Sequence, residues 1–206
     1  MKTISAVLMT TICGFVLSAC VKSDNEDLQS LHVDGFVLTS SAMTNGGELP
    51  VTYTCDGESV NPPFSWSGAP ELTQYYALVM HHNAPDGIHW YWTMYNIPSS
   101  NSQINSGEIL GEIGGNSVND LQRYAPPCSK GPGEKAYQFT LYALSTAAKL
   151  NRDKLVDRAT LLAAIKGITL GATTMTVTYA RESSKGDDQS KDRAKRESRS
   201  RVEEKL

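Results

Sequence analysis

The sequence has no apolar stretch long enough to cross a bilayer. Its longest, Ile4 to Leu17, falls short of the roughly 20 residues that a spanning helix needs. It also lacks an excess of either charge: 19 Lys and Arg stand against 22 Asp and Glu, for a net charge of −3. Binding along a nucleic-acid backbone requires a basic face, so nucleic acid is excluded as the main partner. The short motifs that usually announce an enzyme are missing. There is no GxSxG elbow, no phosphate-cradling glycine-rich loop, no paired carboxylates among the aromatic stretches, and no HExxH or CxxC spacing. Gly131-Pro132-Gly133 reads as a turn, because proline removes one of the amides a phosphate nest would use. Neither catalysis nor a cofactor is expected. His81, His82 and His89 fall within nine residues, yet adjacent strand histidines diverge, so no metal site is expected either. No internal repeat is visible, and 206 residues suffice for one domain with a real core.

What is present begins with an address. Lys2 precedes the apolar run, which ends in Leu17-Ser18-Ala19-Cys20, an aliphatic residue, two small ones and a cysteine. This pattern is a bacterial lipobox following a secretory signal. Residues 1–19 are therefore expected to be a signal peptide, and Cys20 a lipid-modified terminus anchoring the protein to the membrane of the bacterial envelope. Val21, not Asp, follows the cysteine, which favours the outer membrane in a Gram-negative cell. Several acyl chains, at about 0.8 kcal/mol per buried methylene, make such an anchor effectively permanent. Residues 20–32 read as a polar tether, 33–181 as the folded domain, and 182–206 as a charged, disordered tail. From Arg181 onward nine basic and seven acidic residues crowd the last 26 positions, leaving the remainder net acidic. Of the four cysteines, Cys13 departs with the signal and Cys20 carries lipid. Cys55 and Cys128 remain, and two leftover cysteines in an oxidising compartment usually pair.

Phe36–Leu38, Val51–Thr54, Tyr75–His82, Trp90–Ile97, Tyr137–Leu144 and Thr173–Tyr179 are short runs rich in β-branched and aromatic residues. Turn clusters such as Asn45-Gly46-Gly47, Asn61-Pro62-Pro63 and Pro85-Asp86-Gly87 separate them. Strands at this spacing without alternating helices indicate an all-β antiparallel sandwich or barrel. One helix is expected from about Asp153 to Lys166, with Leu155, Leu161, Leu162 and Ile165 at helical spacing and Gly167 able to end it. Strict alternation places His81 and His82 on opposite faces of their strand. It groups His89, Tyr91, Thr93 and Tyr95 opposite Trp90, Trp92 and Met94.

Three stretches combine rings, prolines and ionisable groups: YTCDGESVNPPFSWSGAP, APDGIHWYWTMYNIP and YAPPCSKGPGEKAYQFTLYAL, followed by the helix and TTMTVTYA. In this order they resemble the phosphatidylethanolamine-binding protein family, in its bacterial branch often labelled Raf kinase inhibitor-like. The likeness covers roughly Asp34 to Arg181. It implies a Greek-key antiparallel β-sandwich with one or two peripheral helices and a small pocket at one end. Such pockets hold an anion, for instance phosphate, acetate or a phospholipid head group. The family builds the pocket from an Asp opening a DPDAP motif, a His in a Trp-flanked strand, a Gly-Pro loop, and a His two residues before a Tyr.

Here the motifs diverge. His81 stands at the first Asp and Asn83 at the second, with Ala84 and Pro85 retained; Tyr91 stands at the Trp-flanked His; Ala125-Pro126 replaces Gly-Pro; Lys135 replaces the second His; Tyr137 is kept. The implied ligand contacts are His81, Tyr91, Lys135 and Tyr137, with Pro85, Pro126 and Pro127 shaping the rim. Loss of an Asp and gain of a fixed positive charge leave a pocket that selects an anion by charge; a degenerate site is the other reading. Cys55 and Cys128 lie in the first and third stretches, near the pocket end of the resembling fold. Their disulfide would close a loop of about 73 residues and contribute about 4 kcal/mol in the chain-entropy model. The family label of inhibitor raises one alternative, a module that modulates a protease or another envelope partner through the charged tail.

Overall fold

The computed structural model describes residues 28, 30–129 and 133–181. The signal segment, Cys20, most of the tether and the charged tail lie outside the described residues. Eight strands appear in the order β1 (Val37–Thr39), β2 (Phe64–Ser67), β3 (Tyr75–Ala84), β4 (Gly87–Pro98), β5 (Gln103–Ile104), β6 (Glu112–Ile113), β7 (Lys135–Leu144) and β8 (Thr169–Tyr179). The helix α1 (Arg158–Ile165) precedes β8. The strands form two antiparallel sheets, β1-β2-β5 and β6-β4-β3-β7-β8, so the chain crosses between sheets after β2, β4 and β5.

Alternation along these strands makes two cores. Phe36, Leu38, Phe64, Trp66 and Ile104 from the small-sheet side meet Tyr76, Leu78, Met80, Trp92, Met94, Phe139, Leu141, Met175 and Val177 of the large sheet. The rings interlock: Phe64 and Phe139 are 4.8 Å apart, and Trp66 meets the edge of Tyr76 at 5.3 Å. On the outer face of the large sheet, Ala77, Val79, Tyr95, Tyr142 and Leu144 pack under Leu161, Leu162 and Ile165 of α1. The result is three layers, small sheet, large sheet and helix, with each apolar face covered by the next. Leu28 joins the helical layer at 3% exposure although its neighbourhood in sequence is polar.

Two expected elements differ. Val51–Tyr53 is a 3-10 turn and not a strand: it follows Pro50, and Thr54 folds back with both its amide and its hydroxyl donating to the Val51 carbonyl. Gly57 closes this loop so tightly that a Cβ there would lie 2.2 Å from the Val51 oxygen. The helix begins at Arg158, not near Asp153, because Asp157 caps it by accepting from the Thr160 amide at 2.7 Å.

The alternation expected of β4 also fails, at two bulges. Met80 pairs with Trp92 while His81 pairs with Trp90, so Tyr91 is an extra residue on β4. A second extra residue separates the Tyr76–Ile97 and Leu78–Met94 pairs, where Asn96 takes φ 54°. Tyr91 therefore packs against the inter-sheet core on the same side as Trp92 and Met94, not opposite them.

Candidate functional site

At the end of the large sheet where β3 and β4 turn over and β7 begins, the inner face changes from apolar to polar. Tyr137 stands at its centre. Its ring meets the edge of Tyr91 at 5.3 Å and lies 5.4 Å from the His82 imidazole. Lys135, two residues earlier on β7, shares this face and pairs across to Tyr179 on β8. The bulge is what brings Tyr91 to this side, and the register of β3 is what brings His82.

The walls come from two loops. In the loop preceding β7, the Ala125 amide donates to the Tyr91 carbonyl at 2.7 Å and the Tyr124 hydroxyl donates to the Tyr53 carbonyl at 2.6 Å. In the other, the Cys55 amide donates to the Pro127 carbonyl at 3.0 Å, and Cys55 and Cys128 form a disulfide with Cα atoms 5.2 Å apart. Beside it the Tyr179 hydroxyl donates to Asp56, whose second oxygen pairs with Arg181 at 2.6 Å. The Tyr179 hydrogen bond, then Arg181, hold the Asp56 carboxyl below its usual range. Arg181 also reaches Cys128 Sγ at 3.8 Å, which ties β8 to the disulfide.

Electrostatically the site is made of donors. Burial pushes the phenols of Tyr137, Tyr124 and Tyr91 upward, so all three stay protonated near neutrality. The Tyr137 hydroxyl is fully buried and makes no hydrogen bond of full geometry; the Tyr91 hydroxyl beside it is a long, weak partner. Ser129 Oγ is likewise buried and unpaired. His82 Nδ1 lies 2.8 Å from the Ala136 carbonyl, which can only accept, so that nitrogen carries the proton and Nε2 is left for other use. Buried polar atoms are normally paired, and unpaired ones concentrate where a ligand or water belongs.

The expected contacts divide. Tyr91, Lys135 and Tyr137 share the inner face; Pro126 and the buried Pro127 follow Ala125, whose amide is bonded to the Tyr91 carbonyl. Pro85 is exposed in the β3–β4 turn. His81 is not with them: at 1% exposure it faces the outer side of the sheet, paired across to Gln138, where burial and then the Arg158 charge push its pKa down to about 4. Motif alignment pointed to His81; the strand's face selects His82. Asp56 and Ser129 lie inside the first and third motif stretches and Arg181 just past the last strand, yet none of them stands at a ligand position of the motifs; only nearness to Cys55, Cys128 and Tyr179 marks them. Among the described residues no group of three His, Cys, Asp or Glu side chains could hold a metal.

Comparison with known proteins agrees with the fold. A family model described as phosphatidylethanolamine-binding protein matches residues 39–180. A UPF0098 protein of Methanothermobacter thermautotrophicus is 30% identical over 151 residues, 70% of this chain and 98% of that one. A putative lipoprotein, LppC, of Mycobacterium tuberculosis is 30% identical over 117 residues, 55% of this chain and 57% of its own length. The crystal structure of CT736 from Chlamydia trachomatis, described as a putative phosphatidylethanolamine-binding protein homolog, superposes with TM-score 0.67 at 27% identity. It covers 73% of this chain and all of the other.

Proposed function

Because the chain belongs to the phosphatidylethanolamine-binding protein family, we propose that the polar end of its sandwich binds a small anion or phospholipid head group and catalyses no reaction. The observation that carries this reading is the Tyr137 hydroxyl: a protonated phenol, buried with nothing better than the long contact to Tyr91, that faces the same space as Tyr91, His82 and Lys135. Leaving such a donor unsatisfied costs about 1–3 kcal/mol, and an anionic oxygen would recover it through a charge-assisted bond. Lys135 makes no ion pair among the described residues and supplies positive charge on the same face. Selection here is by hydroxyl donors and one fixed cation, whereas the family's motif relies on an Asp balanced against histidines.

Calorimetric titration with phosphate and with phosphorylethanolamine tests the proposal. The wild type should bind with millimolar or tighter affinity. Tyr137→Phe, which deletes one bond to a charged ligand worth about 1.5–3 kcal/mol, should bind roughly 10- to 100-fold more weakly. Heats no larger than dilution in the wild type would reject it.

Placement at the envelope forms part of the same reading. It is supported by the lipobox ending at Cys20 and by the relative named as a putative lipoprotein. Among the described residues no helix is long and apolar enough to cross a membrane.

A further inference from the structure

The outer face of the large sheet carries a cationic group that the pocket on the inner face does not use. Arg158 opens α1 and turns inward, leaving 4% of its surface exposed. Its Nε is sealed from solvent without a partner, and the Nη1/Nη2 fork makes no hydrogen bond among the described residues. No Asp or Glu among the described residues forms an ion pair with it. The nearest in sequence, Asp157, is committed to capping the helix through Thr160. The groups close enough to feel its charge are His81, whose own burial keeps the imidazole neutral, and the Tyr142 phenol. Gln138 sits beside His81 on the same face.

A guanidinium keeps its proton under all ordinary conditions, and a buried charge without a counter-charge is costly enough that proteins normally pair it. Asp157 is turned to the helix cap, and the groups coupled to the Arg158 charge, His81 and Tyr142, are neutral. The fork is planar and presents two parallel donors, the geometry that matches two oxygens of a carboxylate or phosphate. With 4% of the residue exposed, the fork can meet a small ion and not a macromolecular segment. We infer that Arg158, flanked by His81 and Gln138, forms a second anion site on the outer face of the sheet, taking a small oxyanion such as phosphate or acetate. This site is separate from the Tyr137 pocket: His81 and Tyr137 lie on opposite faces of the same sheet.

The separation makes the two readings independently testable. In the isotope-labelled protein, the Arg158 Nε–Hε signal reports the outer site and the Tyr91 and Tyr137 ring signals report the inner one. Titration with inorganic phosphate and with sodium acetate should move the Arg158 signal along a saturating curve, in the wild type and equally in Tyr137→Phe. Arg158→Lys, which keeps the charge and loses the fork, should weaken the outer event about tenfold, read at the ring signals of the neighbouring His81, and leave the inner one unchanged. An Arg158 signal that stays still through millimolar phosphate and acetate would overturn the inference, whatever the tyrosine signals do. So would a linear drift matched by sodium chloride, which would mark ionic strength and no site. These readouts come from the folded wild type, so they stand even if the variant proves unstable.

Discussion

Replacing Cys55 and Cys128 together by serine separates two roles a disulfide can play. The bond closes a loop across a sequence separation of 73. The chain-entropy expression for such a loop gives about 15 cal/mol/K of entropy withheld from the unfolded chain, or about 4.4 kcal/mol at 25 °C. Locally, the segment it holds has other attachments: the Cys55 amide to Pro127, the Ala125 amide to Tyr91 and the Tyr124 hydroxyl to Tyr53. The native arrangement should therefore survive loss of the bond, with the effect falling on the unfolded state. Urea unfolding monitored by tryptophan fluorescence should show a loss of about 4 kcal/mol, a fall in Tm of roughly 9–18 °C for a domain of this size, and a larger m value because the unfolded chain expands. Phosphate affinity, measured at a temperature where both proteins are folded, should change less than threefold. A stability loss under about 1 kcal/mol would refute the entropic reasoning. A tenfold loss of affinity with stability intact would refute it differently, by showing that the bond positions the pocket.

Three further outcomes follow from individual groups. Tyr137→Phe removes a buried hydroxyl that makes no hydrogen bond of full geometry, only the long contact to Tyr91. It should raise the ligand-free stability by about 1 kcal/mol while weakening anion binding, and a loss of stability in calorimetry would show that the hydroxyl is paired. His81 is held at about 4, below its ordinary 6.5, first by burial and then by Arg158. As pH falls from about 6.5 to 4 the unfolded chain takes up a proton that the folded one refuses, so stability should drop by roughly 3 kcal/mol over that window and level off below it. Urea titrations between pH 7.5 and pH 4 should show this slope in the wild type and not in His81→Gln; parallel slopes would refute the assignment. Cys20→Ser should abolish palmitate labelling and release the protein from the membrane fraction, whereas an unlabelled wild type would sink the lipid anchor.

Much of the sandwich was legible because its long strands obey the period-two rule. Tyr76, Leu78 and Met80 fall on one face and Ala77 and Val79 on the other, and β7 and β8 alternate likewise. Of the short strands only β1 was: β5 and β6 are two residues each, and β2 is four residues of Phe-Ser-Trp-Ser beside Pro62-Pro63, too brief for composition to outweigh the flanking turns. Val51–Tyr53 has the right residues for a strand, yet Pro50 and the Thr54 back-bonds decide locally for a 3-10 turn. The candidate site was half legible for the same reason that β3 was legible and β4 was not. A motif fixes which residues are near in sequence, while a face is fixed by counting in twos along an unbroken strand, and one bulge reverses the count. On β3 the count holds: His82 falls on the Met80 side and meets Tyr137, and His81 falls on the Val79 side beneath the helical layer. On β4 the extra residue lets Tyr91 join Tyr137 although Trp92 points into the same core. A bulge has no side-chain signature in Trp90-Tyr91-Trp92, because any of the three rings could be the extra one. It is the register against β3 that chooses, and so the donor set of this pocket is a property of strand pairing before it is a property of the motif.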